Sequence, residues 1–113
     1  MIDKKELLLA GQIAVDSGQA MIGDPCYLDT WQPWNSDKMK FEDHNLVQGE
    51  YGYLGACNAT LTKGYGELGN ASSVVMSTGY GDGLYPVYVK LNEDGRIAMA
   101  VVDFTGELNE EQE

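Results

Sequence analysis

Along much of this chain apolar residues recur at every second position, the spacing of a strand with one face buried. Gln12-Ile13-Ala14-Val15-Asp16 and Gln19-Ala20-Met21-Ile22 both alternate. Ser17-Gly18 between them suits a tight hairpin, with glycine supplying positive φ. Gly23-Asp24-Pro25 breaks the second strand, because proline has no N–H to give a ladder, and Cys26-Tyr27-Leu28 continues extended. Residues 84–91 alternate through Tyr85, Val87, Val89 and Leu91, Asn92-Glu93-Asp94-Gly95 forms a turn signal, and residues 96–104 return. The returning strand is apolar on both faces, which predicts a central position. Pro86 predicts an edge or a bulge for its own strand.

The remaining segments carry weaker patterns. Tyr51, Tyr53, Cys57, Ala59 and Leu61 predict a strand within residues 46–62, interrupted near Gly52 or Gly55. Residues 63–70 read as a glycine-rich loop and residues 72–78 as a strand around Val74, Val75 and Met76. Residues 3–10 read as a short helix, with Asp3 as cap, Glu6 three residues on, three leucines behind it and Gly11 as the stop. Residues 29–45 form a long irregular loop whose Trp31 and Trp34 predict that it folds back onto the core. About six to eight strands with one short N-terminal helix define an all-β, mainly antiparallel sandwich or partly open barrel. The expected organisation is a single β-rich domain over residues 1–106 and an acidic, disordered tail over residues 107–113.

Composition narrows the partners. The chain has 113 residues, 43% of them hydrophobic, enough for one core and one domain. Seven basic residues face eighteen acidic ones, a formal charge of −11, and Arg96 is the sole arginine. Direct contact with nucleic acid or an anionic membrane is therefore not expected, because it relies on Lys and Arg. The longest apolar run, residues 97–102, is a strand and far short of the roughly 20 residues of a membrane span. The acidic, short first segment does not read as a signal peptide. Cys26 and Cys57 then read as reduced thiols, and the expected location is the cytoplasm.

Val15-Asp16-Ser17-Gly18-Gln19, Asp24-Pro25-Cys26-Tyr27-Leu28 and Trp31 resemble a family of bacterial and phage proteins catalogued only as a domain of unknown function. The resemblance continues through Gly55-Ala56-Cys57, Ser77-Thr78-Gly79-Tyr80-Gly81-Asp82-Gly83, Tyr85-Pro86-Val87-Tyr88 and Val102-Asp103-Phe104, covering residues 13–104. It implies a compact β-rich fold and brings no activity, cofactor or catalytic residue with it.

Candidate chemistry concentrates in these blocks. Asp16, Ser17, Asp24 and Asp82 sit in turns, where carboxylates either accept backbone N–H bonds or converge on a hard cation such as Ca²⁺. No EF-hand or zinc spacing is present, and no metal or cofactor is predicted. Cys26 is a conceivable nucleophile with His44, the one imidazole, as its base, although so acidic a chain raises a thiol's pKa. Tyr27, Trp31, Trp34, Tyr80, Tyr85 and Tyr88 are the aromatic candidates for contact with a ligand, beside their ordinary role in packing. No catalytic residue is assigned, and the pattern leans away from an enzyme. The leading expectation is a non-enzymatic binding or interaction module, its surface formed by Asp16, Ser17, Asp24, Tyr27, Trp31, Tyr80, Asp82 and Tyr85, for a protein or small-molecule partner. The alternatives are a phage-type counter-defence protein whose acidic surface imitates nucleic acid, and a small hydrolase using Cys26 or an aspartate-bound metal.

Overall fold

The computed structural model describes residues 4–108. The chain divides into two compact units: one takes the residues up to Gly18 and from Thr78 onward, and the other is Gln19–Ser77. Each contains one three-stranded antiparallel sheet. The mostly antiparallel β architecture expected from the alternation is present, and no barrel closes among the described residues.

In the first unit β1 (Leu7–Val15), β5 (Gly83–Leu91) and β6 (Ile97–Val102) lie in the order β1-β5-β6. The expected C-terminal hairpin is there, with Val87 opposite Val102 and Leu91 opposite Ile97. Its turn works as the residues predict. Asn92 Oδ1 accepts from the N–H groups of Asp94 (2.9 Å) and Arg96 (3.0 Å), and Gly95 takes φ 84°. Leu7, Val15, Tyr85 and Tyr88 are buried, and Tyr85 meets Phe104 edge-on at 5.2 Å.

Several expectations are corrected here. The helix over residues 3–10 is absent: Lys4–Glu6 makes a single 3₁₀ turn and the leucines open β1, while the expected cap Asp3 lies outside the described residues. The leucines pair with Lys90, Val89 and Tyr88, so long-range pairing overrode a local helix preference. There is no hairpin at Ser17-Gly18, because β1 pairs with β5 while β2 belongs to the other sheet. β6, read as central, is an edge, and its Ile97 and Met99 are exposed. β5, read as an edge or a bulged strand for its proline, is central, and β1 shows a register shift between Leu9 and Gly11, opposite Tyr88 and Val87. Pro86 is accommodated one residue beyond the last β5–β6 pair, where its carbonyl accepts from Asp103 N–H at 3.1 Å and its missing donor falls at the ladder's end. Of the acidic tail, residues 109–113 lie outside the described residues, while Glu107 and Leu108 form part of a closing turn.

In the second unit β2 (Gln19–Gly23), β3 (Tyr65–Leu68) and β4 (Ser73–Ser77) lie in the order β2-β4-β3. The strand expected at residues 46–62 is instead a 3₁₀ segment, Phe41–Val47, followed by the helix α1, Tyr53–Thr62. The loop expected at residues 63–70 contains β3. Tyr51, Ala56, Leu68 and Val75 form the core, with Trp31 and Ala59 packed against it. Trp31 meets Tyr51 edge-on at 5.1 Å, so this part of the long loop folds back as expected. Trp34 stacks on Tyr53 and donates its indole N–H to Met39 O at 2.9 Å.

Two glycines let backbones touch in this unit. Gln32 N–H donates to Tyr51 O and Tyr53 N–H to Gln32 O, so the chain passes close beside Gly52, where an added Cβ would sit 2.5 Å from Gln32 O. At Gly55 it would sit 2.1 Å from Glu50 O. Both positions exclude a side chain.

Candidate functional site

Five of the eight candidate residues belong to the first unit and three to the second. In the first unit, the opposition of Val15 and Gly83 places the 16–18 turn beside the 78–82 loop at one end of the sheet. Thr78 N–H donates to Gly18 O at 3.0 Å and closes the pair. The 78–82 loop is fastened from below. Buried Thr78 donates its hydroxyl to Gly81 O (2.8 Å) and accepts from Tyr80 N–H (3.1 Å). Tyr85, 8% exposed, donates its own hydroxyl to the same Gly81 carbonyl at 2.8 Å. Gly79 and Gly81 take φ 77° and 80°, the left-handed conformation such a tight loop requires.

These bonds leave Tyr80 projecting, 66% exposed, with Asp82, Asp16 and Ser17 exposed around it. Tyr85 shapes this end of the sheet from inside. Tyr85→Phe removes one hydroxyl bond and is expected to cost about 1 kcal/mol. Faster amide exchange in the loop at residues 79–82, with the β5–β6 amides unchanged, is the signature to look for; unchanged loop exchange would show that the hydroxyl holds nothing.

In the second unit, Asp24 caps the 3₁₀ segment Pro25–Thr30, its Oδ1 accepting from Cys26 N–H at 2.9 Å. Tyr27 and Leu28 are exposed on that segment, whereas Trp31 at its end belongs to the core packing. Cys26 is an exposed free thiol. Local desolvation, then its hydrogen bond to Asp24 and the charge of that carboxylate, push the thiol's pKa up. That is the reverse of what an activated nucleophile needs. His44 is engaged elsewhere, its Nδ1 3.0 Å from the side-chain nitrogen of Asn58. Cys57 is buried, in α1 and not in a strand. Among the described residues no three His, Cys, Asp or Glu side chains gather into a cation site, and no helix is long and apolar enough to cross a membrane.

A feature that no sequence motif marked lies elsewhere in the second unit. A cleft of about 350 Å³ is lined by residues of the 45–49 segment, of α1 and of β3. Asn45, Gln48 and Asn58 bring three carboxamides to it, and Ala59 and Leu68 bring apolar surface. Asn58 is 3% exposed, and its Nδ2 donates to Asn45 Oδ1 at 2.6 Å besides facing His44.

The two three-stranded sheets define a small, mostly antiparallel β protein. The chain belongs to the family described as a protein of unknown function (DUF4241), whose profile matches residues 11–102 and so takes in both units. No curated protein and no solved structure matches it.

Proposed function

We propose that this protein is a non-enzymatic binding module whose contact surface is the loop pair 16–18 and 78–82. Tyr80 and Asp82 are its principal contacts, and Asp16 and Ser17 form its rim. One observation carries this reading. Tyr80 stands 66% exposed on a loop whose backbone is fixed by buried Thr78 and Tyr85. A large amphipathic ring carried on a backbone held in advance loses less entropy on contact than one on an untethered loop, which suits an interface anchor. The flanking carboxylates and the charge of −11 favour a partner that presents cationic side chains. Tyr85 serves as a positioning residue beneath the loop, and Asp24 and Tyr27 offer a second exposed corner on the other unit.

Selection of a displayed random-peptide library on the folded protein tests this. The enriched peptides are expected to be basic and to bind Tyr80→Ala and Asp82→Ala about tenfold more weakly than the wild type, the loss of one anchor. Both variants should unfold in urea within about 0.5 kcal/mol of the wild type, as exposed side chains do. Selected peptides that bind both variants undiminished would overturn the assignment, and so would unfolding of the variants.

A further inference from the structure

The cleft of the second unit lies against an open strand edge. β3 is the last strand in the order β2-β4-β3, so one of its sides has no strand partner among the described residues. The direction of its backbone groups follows from the bonds at its two ends. Gly64 O accepts from Ser77 N–H at 2.7 Å, and Leu68 O accepts from Ser72 N–H at 3.0 Å. Both carbonyls point toward β4. Backbone groups alternate in direction along a strand, so the N–H and C=O of Tyr65 and Glu67 point away from β4. Tyr65 and Glu67 both line the cleft. Just past the strand, Gly69 N–H is bonded to Gly49 O at 2.8 Å.

The side chains across the cleft suit the same ligand. A carboxamide offers one acceptor oxygen and an N–H donor in one plane, the pattern that a peptide group presents in reverse. The amide of Asn58 is buried and fixed, and both of its contacts use Nδ2, so Oδ1 takes part in neither. Gln48 is exposed. The cleft's charged residues, Lys63 and Glu67, have opposite signs and favour neither an acidic nor a basic ligand. Its volume of about 350 Å³ falls in the range of ligand sites. It has room for about two or three extended residues at about 3.3 Å each.

We infer that this cleft binds an extended peptide segment through its backbone, added alongside β3 and gripped by the carboxamides of Asn45, Gln48 and Asn58. This is recognition by strand addition, with main-chain bonds supplying the affinity. The ligand is a stretch of another polypeptide, and the site is separate from the loop pair of the first unit.

The test uses a probe without side chains. Acetyl-Gly-Gly-N-methylamide is titrated into the ¹⁵N-labelled protein, followed by the same compound methylated on all three amide nitrogens, which cannot donate to a strand. With the first compound, saturable shifts are expected at the backbone amides of Tyr65 and Glu67 and at the side-chain amides of Asn45, Gln48 and Asn58. The methylated compound should leave these signals in place. Gln48→Leu should keep the remaining spectrum and weaken binding about fivefold, the loss of one neutral hydrogen bond. An equal response to both compounds, shifts that stay linear to the solubility limit, or full affinity in Gln48→Leu would each overturn the inference.

Discussion

Replacing Gly55 with alanine is expected to destabilise the second unit by about 3 kcal/mol, a value at the top of the usual range for overpacking. The sign is the opposite of what helix propensity gives. Gly55 is inside α1, and in an ordinary helix interior alanine is better than glycine by about 1 kcal/mol. Here the added methyl would sit 2.1 Å from Glu50 O and 2.9 Å from Glu50 C. Both are backbone atoms, so no rotamer change relieves the contact. Glu50 is itself tied by its N–H to Val47 O at 3.0 Å, and its neighbour Tyr51 is buried in the core. Urea unfolding followed by tryptophan fluorescence reads the effect, since Trp31 packs against that core. A midpoint equal to or above that of the wild type would show that Glu50 does not confine this turn of the helix.

The second large effect falls on Asp103 of the first unit. Its carboxylate, in a residue only 6% exposed, gathers the closing turn. Oδ1 accepts from Thr105 N–H (3.0 Å), Thr105 Oγ1 (2.9 Å) and Gly106 N–H (3.1 Å), while Oδ2 accepts from Leu108 N–H (2.9 Å). Asp103→Ala leaves these donors without their charged acceptor and is expected to cost about 2–3 kcal/mol. Burial pushes the Asp103 pKa up, but the bonds from Leu108, Thr105 and Gly106 outweigh it and hold the carboxyl below the usual carboxylate value. A group whose pKa is lower in the folded state stabilises above its unfolded value, about 3.9, and loses that contribution as pH falls through the folded value. The stability difference between the wild type and Asp103→Asn is therefore expected to be constant from pH 7 to about 5 and to shrink steadily below about pH 4. A difference that stays constant on acidification would show that the carboxylate charge is not what the turn uses.

The parts of the fold that could be read from the sequence are those in which pattern and turn chemistry agree. Residues 84–104 alternate and contain an Asn-Glu-Asp-Gly turn, and β5 and β6 form there. α1 escaped notice for a physical reason. Leu54, Gly55, Ala56, Cys57 and Asn58 are all buried in succession, so the helix has no polar stripe to set a 3.6-residue period. The tyrosines at 51 and 53 then imitate a two-residue period. At the other end, three leucines suggested a helix whose proposed cap, Asp3, lies outside the described residues; the partner that makes them a strand is β5, more than seventy positions away in sequence.

The candidate site was legible to the same extent. Tyr80 and Asp82 stand out in a glycine-rich block, and they are exposed at the end of the first sheet. Tyr85 and Trp31 are in the same motifs, but their environments come from long-range packing, which the local sequence does not encode. The carboxamide cleft gave no signal at all. Asn45, Gln48 and Asn58 are common residues, and they come together only because α1 and the 3₁₀ segment before it replace the expected strand.

The points at which the chain passes between units have a consequence for inheritance. Gly18 and Thr78 are hydrogen-bonded within one unit, and Gln19 and Ser77 are register partners within the other. The stretch Gln19–Ser77 thus starts and finishes on neighbouring strands, and the flanking chain is already joined across its base. A gene that gained, lost or exchanged this stretch as a cassette would leave the pairing of β1, β5 and β6 intact, because none of these strands belongs to the second sheet.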